Sequence, residues 1–290
     1  MIKKIIFILT PFILYAKPVK VDEILTDINK FKIETAISYA NINKKENVIA
    51  PISYQTTSGA FVTIPSYLGV QSTNQDYVNL GISFKYGLSE KIEVFSGINM
   101  FYQNTNISDS SFSSISDKGF NNLNFGLIYE LKKEDETPSF LVGGSMDLLE
   151  KTSFSNGKED NQSFKSYSFF ATSYYTVDPL VFLLKADYRL NLEKEYENRS
   201  IDAGEIFILS PNIYFAINPY ASLNWGVKYQ YKTKDKVDSI VSSNNSSSVG
   251  YAFGVSYELN SKTIVNFDTE KLDTNEYDSN NITLSMTYKF

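Results

Sequence analysis

Cysteine is absent from the 290 residues, and so is histidine. The first absence excludes disulfides, thiolate metal sites and cysteine nucleophiles. The second closes the hydrolytic mechanisms that use an imidazole as acid or base. No apolar run reaches the roughly 18 residues that a membrane-spanning helix requires. Positive charge is in deficit, 27 Lys and Arg against 33 Asp and Glu, giving a formal charge of −6. That balance argues against a nucleic-acid partner. Tryptophan occurs once, whereas tyrosine and phenylalanine occur 21 times each.

Residues 1–16 have the layout of a secretory signal. Lys3 and Lys4 form a basic start, Ile5 to Tyr15 an apolar run, and the small Ala16 precedes a polar residue. Cleavage is expected after Ala16, which would remove both lysines and take the charge from −6 to −8. In Val21–Phe31, residues Val21, Ile24, Leu25, Ile28 and Phe31 follow an i, i+3, i+4, i+7 spacing. A short helix is expected there, either at the periplasmic mouth of the structure that follows or entering it as a plug.

From Lys32 onward the apolar period changes from helical to two. Val78, Leu80, Ile82, Phe84, Tyr86 and Leu88 alternate with smaller or polar residues, as do Leu223, Trp225, Val227, Tyr229 and Tyr231. The last ten residues place Ile282, Leu284, Met286, Tyr288 and Phe290 on one face and Thr283, Ser285, Thr287 and Lys289 on the other. About twelve such segments are legible between 32 and 290. Short connections with turn residues, such as Asp178–Pro179 and Asn218–Pro219, alternate with long polar ones near 43–76, 104–119, 150–163, 193–203, 233–248 and 272–280. This alternation predicts an all-β fold: a transmembrane antiparallel up-and-down barrel with short periplasmic turns and long extracellular loops. Aromatics near strand ends, among them Tyr39, Tyr102, Tyr129, Tyr257 and Tyr288, would form interfacial girdles. The chain thus divides into a signal (1–16), a periplasmic segment (17–31) and the barrel (32–290).

Strand parity sorts the charges. Lys32, Lys85, Lys185, Arg189, Lys228, Lys232 and Lys289 face inward, with Glu34, Glu93, Glu130, Asp147, Asp187, Glu258, Asp268 and Glu270. The two signs nearly balance, which suits a narrow, weakly selective lumen partly filled by paired charges. Phe95, Phe101, Ile206 and Ile208 also face inward. The loop segment Gly59–Val70, with Phe61 and Tyr67, is too apolar to stand alone in water. It would fold into the mouth as a constriction, or form an extra hairpin above the membrane. Asp268 and Glu270 point the same way, but two acids on an alternating strand make an ordinary wet wall, so no catalysis is expected. No cofactor or metal is expected either.

Tyr86–Ile98 (YGLSEKIEVFSGI), Phe120–Gly144 (FNNLNFGLIYELKKEDETPSFLVGG) and Val249–Phe290 resemble hairpins of the outer-membrane family named for the meta-pathway of phenol degradation. The loop Asn43–Asp76 departs from that pattern. The resemblance implies an uptake barrel without implying phenol as substrate. The aromatic ending at Tyr288 and Phe290 resembles the C-terminal signal read by the bacterial barrel assembly machinery. The expected role is passive passage of small, apolar or aromatic molecules across the outer membrane. The expected surroundings are membrane lipid and lipopolysaccharide. The alternative is a closed structural or adhesin-like barrel whose outer loops contact a partner.

Overall fold

The computed structural model describes residues 25–44, 53–55, 61–63, 73–107, 114–153, 159–196, 199–274 and 277–290. Within them the period-two segments are strands: β1 (Phe31–Lys44), β2 (Thr73–Ser89), β3 (Ile92–Ile107), β4 (Ile115–Lys132), β5 (Phe140–Ser153) and β6 (Ser166–Val177). The second half continues with β7 (Leu180–Asn191), β8 (Ile206–Asn218), β9 (Ala221–Lys232), β10 (Ser246–Asn260), β11 (Thr263–Asp273) and β12 (Tyr277–Lys289). Each pairs antiparallel with its neighbours in sequence, and β1 pairs with β12, from Lys32 opposite Lys289 to Lys44 opposite Tyr277. Twelve strands therefore close into a barrel, and a short strand, Glu159–Gln162, adds to the sheet beside the outer end of β5. Pro211, which lacks an N–H, falls where the β8–β9 ladder skips from Leu209–Tyr229 to Asn212–Gly226.

Closure puts one face of every strand outside. Leu80, Phe84, Met100, Leu127, Phe169, Leu184, Trp225, Phe253, Leu284 and Met286 are exposed there. Such a band of large apolar side chains is stable only against lipid. Tyr39, Tyr102, Tyr129, Tyr231, Tyr257 and Tyr288 are exposed nearer the strand ends. At the terminus, Phe290 donates its backbone N–H to Phe31 O at 3.0 Å, and its ring meets Tyr288 edge-on at 4.8 Å.

The strands run further than their alternation suggests. Much of the expected 104–119 loop is the continuation of β3 and β4, and 272–280 is mostly β11 and β12. The loops at 193–203 and 233–248 carry their own four-stranded sheet: Lys194–Tyr196, Arg199–Asp202, Asp235–Val237 and Ile240–Ser243. Lys236 Nζ to Asp202 Oδ2 (2.8 Å) ties it together, and Asp202 holds the ammonium above its usual range. Asp235 anchors that sheet over the barrel by accepting from Lys232 and from Ser243 Oγ (2.8 Å). In the first outer loop, Ser53–Gln55 pairs with Phe61–Thr63 as a hairpin separate from the barrel sheet.

The helix expected over Val21–Phe31 is a correction. Its described part, Leu25–Phe31, contains no helix. Ile28 bridges to Gly87, Asn29 adopts φ of 60°, and Phe31 already belongs to β1. Pairing with a strand edge supplies hydrogen bonds that a short isolated helix would have to make alone. Residues 1–16, with the expected signal and its cleavage point, lie outside the described residues.

Candidate functional site in the barrel lumen

The inward faces bring together the charges that parity assigned to the lumen. Lys85 pairs with Glu34 (3.1 Å), Lys185 with Asp187 (3.7 Å) and Lys228 with Glu270 (2.9 Å). Arg189, 1% exposed, donates to Asp147 Oδ2 at 2.6 Å and to Ser168 Oγ at 3.2 Å. Glu150, which parity did not single out, takes Lys194 at 2.8 Å and lies 4.0 Å from Arg189. Glu93, fully buried, accepts from both the backbone N–H and the hydroxyl of Thr26, each at 2.6 Å. Glu130 and Glu258 sit half-buried at the periplasmic ends of their strands. Charges out of bulk water are tolerable when each meets an opposite charge or a donor, and most here do.

A second polar system runs around the wall. Asn79 Nδ2 donates to Asn99 Oδ1 (3.1 Å), Asn99 to Asn122 (2.8 Å), and Asn122 to Asp147 (3.1 Å), where Arg189 joins from the other side. Each amide passes a hydrogen bond to the next strand, so one belt links β2, β3, β4, β5 and β7. Sequence parity shows these residues facing inward but not their pairing, which depends on strand stagger.

Two apolar clusters flank the polar belt. One joins Phe95, Ile128, Leu141, Phe170, Tyr174 and Val181, with Leu25, Leu183 and Tyr214 packed against it, in the periplasmic half. The other joins Ala40, Ile42, Tyr77, Phe101, Leu272 and Tyr277 toward the outer end. There Tyr77 stacks on Phe101 at 5.8 Å, and Lys151 lies 4.9 Å above the Phe101 ring. Ile206 and Ile208 form a separate buried pair. Phe61 belongs to the outer-loop hairpin by its backbone, and Tyr67 lies outside the described residues.

Glycines on the inner face make room for neighbouring side chains. A Cβ at Gly126 would strike the Phe95 ring, and one at Gly143 the Phe170 ring, so both rings lie along the wall instead of standing in the lumen. A Cβ at Gly254 would strike Asp268 and Asn224. Its absence lets Asn224 donate across β10 to Asp268 at 3.1 Å.

These arrangements split the lumen. On β3 and β4 the inward residues Glu93, Phe95, Asn99, Phe101, Asn122, Asn124 and Ile128 are all buried. On β10 the inward positions are Ser246, Ser248, Gly250, Ala252, Gly254, Ser256 and Glu258, none but the last larger than serine. Around it, inward-facing Asn212, Asn224, Ala252, Asn266, Asp268, Glu270 and Thr283 remain half-buried. The half-buried inward positions therefore gather on β8–β12, across the barrel from the buried polar and apolar side chains of β3 and β4.

With this geometry in view, the outer membrane protein β-barrel domain model matches residues 132–290. The chain belongs to that family. It is a barrel of the outer membrane, and the short connections face the periplasm. No curated protein matches the chain. An outer membrane channel from Pseudomonas putida F1 has the same fold, with TM-score 0.65 at 8% identity, covering 94% of this chain and 99% of that one. The translocator domain of the autotransporter NalP from Neisseria meningitidis matches with TM-score 0.54 at 7% identity, covering 93% and 91%.

Proposed function

We propose that this barrel is a channel for the passive passage of small molecules across the outer membrane. The observation that carries the reading is the divided lumen. One half of the wall is filled by large side chains, and the other, centred on β10, is lined by small ones with half-buried polar neighbours. A lumen lined by aromatic clusters and polar side chains together suits solutes that have both an apolar and a polar part. The channel from Pseudomonas putida shares the fold, which agrees with the proposal. The exposed belt contacts membrane lipid and lipopolysaccharide, Tyr288 and Phe290 serve assembly, and residues 1–16 direct export. The reading assigns no catalytic step. The outer four-stranded sheet, with Ile240 73% exposed at its tip, is the feature a surface-contact role would use.

Single-channel recording of the refolded barrel in planar bilayers tests the proposal. Discrete, stable conductance is expected. A folded barrel that inserts and never conducts would refute it in favour of the surface-contact role.

A further inference from the structure

Among the described residues, the lumen carboxylates near mid-barrel are balanced by cations: Glu34 by Lys85, Asp147 by Arg189, Asp187 by Lys185 and Glu270 by Lys228. Asp268 is the exception. It sits near the middle of β11, half-buried, and forms no ion pair. Its one hydrogen bond is from the neutral amide of Asn224, to Oδ1. Strand register places Tyr214, Asn224, Gly254, Asp268 and Thr283 in one row around the wall. The missing side chain at Gly254 lets the Asp268 carboxylate and the Asn224 amide lie over it, and Tyr214, in the same row, packs on the apolar cluster. A fixed negative charge on the accessible side of a low-dielectric tube concentrates cations there. An aromatic face nearby adds to the attraction.

We propose that Asp268 is the cation-selecting group of the lumen, and that the favoured cargo is a small organic cation with an apolar part. The inference rests on the channel reading above and names its substrate class. Asn224 holds the carboxylate against the wall, and the aromatic clusters receive the apolar part of the solute.

The test is the reversal potential of the full barrel in a KCl gradient, with benzylammonium, benzyl alcohol and benzoate flux into proteoliposomes. The wild type should prefer K⁺ over Cl⁻, by roughly tenfold at low salt, and should admit benzylammonium faster than benzoate. Asp268→Asn keeps the shape and the bond from Asn224, and should abolish both preferences while conductance persists. Glu90→Gln makes the same charge change in an exposed periplasmic turn and should leave both preferences intact. Conductance with the same ion preference in Asp268→Asn and wild type would overturn this inference alone. Absence of conductance in every form would overturn the channel reading with it.

Discussion

Replacing Gly87 with alanine should release the N-terminal segment from the periplasmic mouth. Gly87 sits inside β2, and the chain from Thr26 to Lys30 passes directly over it. Asn29 donates its N–H to Gly87 O at 2.8 Å, and Gly87 donates to Lys30 O at 3.2 Å. A Cβ at position 87 would collide with the carbonyl oxygens of Thr26 and Asp27. These are backbone atoms and cannot swing aside as a side-chain end would. Release would cost the two bonds at Gly87, about 1 kcal/mol each, and the two bonds from Thr26 to the Glu93 carboxylate, roughly 2 kcal/mol each. The total, about 6 kcal/mol, is opposed by the backbone freedom regained over the segment, about 1 to 2 kcal/mol per residue. The two nearly cancel, so a clash worth a few kcal/mol should detach the segment while the barrel stays closed. Hydrogen exchange should show the Asn29 amide losing protection in Gly87→Ala, and trypsin should cut after Lys30. Conductance should rise as Leu25 leaves the apolar cluster. Unchanged protection at Asn29 would refute this account of the mouth.

Arg189→Leu removes the cation between Asp147 and Glu150 and leaves two carboxylates buried near one another. It should destabilise the barrel by about 3 to 5 kcal/mol, read as a lowered urea midpoint for refolded protein in lipid vesicles; a midpoint within error of wild type would count against the network. In the periplasmic turn, Asp135 accepts from the hydroxyl and N–H of Thr137 and from Lys132, which holds its carboxyl down to about 2 from the usual 3.8. A depressed carboxylate adds stability above its unfolded value and loses it as pH falls through the folded one. The stability it adds should therefore fade as pH drops from about 4 to 2, and the Thr137 amide signal of the folded barrel should titrate with a midpoint near 2; a midpoint near 4 would show that the turn does not hold the carboxylate.

Alternation alone carried most of the architecture. Leu223–Tyr231 and Ile282–Phe290 could be assigned an outer and an inner face because a two-residue period fixes direction whatever the neighbouring strand is. Phe95, Phe101, Ile206 and Ile208 were assigned to the lumen by the same parity, and all four are buried there. Partnership was not legible. That Arg189 meets Asp147, 42 positions away, depends on stagger between strands, which alternation leaves free. Glycine's part in seating Phe95, Phe170 and the Asn224–Asp268 bond was hidden because its effect falls on a neighbouring strand. The segment Leu25–Phe31 misled because Leu25, Ile28 and Phe31 match helical spacing. Tertiary pairing of Ile28 and Asn29 with Gly87 outweighs that local preference. The outer sheet is not legible in the sequence because its strands of three or four residues are too short to show a period.

The most direct test of the central claim is single-channel conductance of the refolded wild-type barrel, with folding verified by its heat-modifiable gel mobility. A divided lumen with its half-buried positions along β8–β12 predicts small, discrete, long-lived openings that increase when bulk is removed from the filled side, as in Phe95→Ala. A correctly folded barrel that stays silent in both forms would show the lumen to be sealed and would contradict the account.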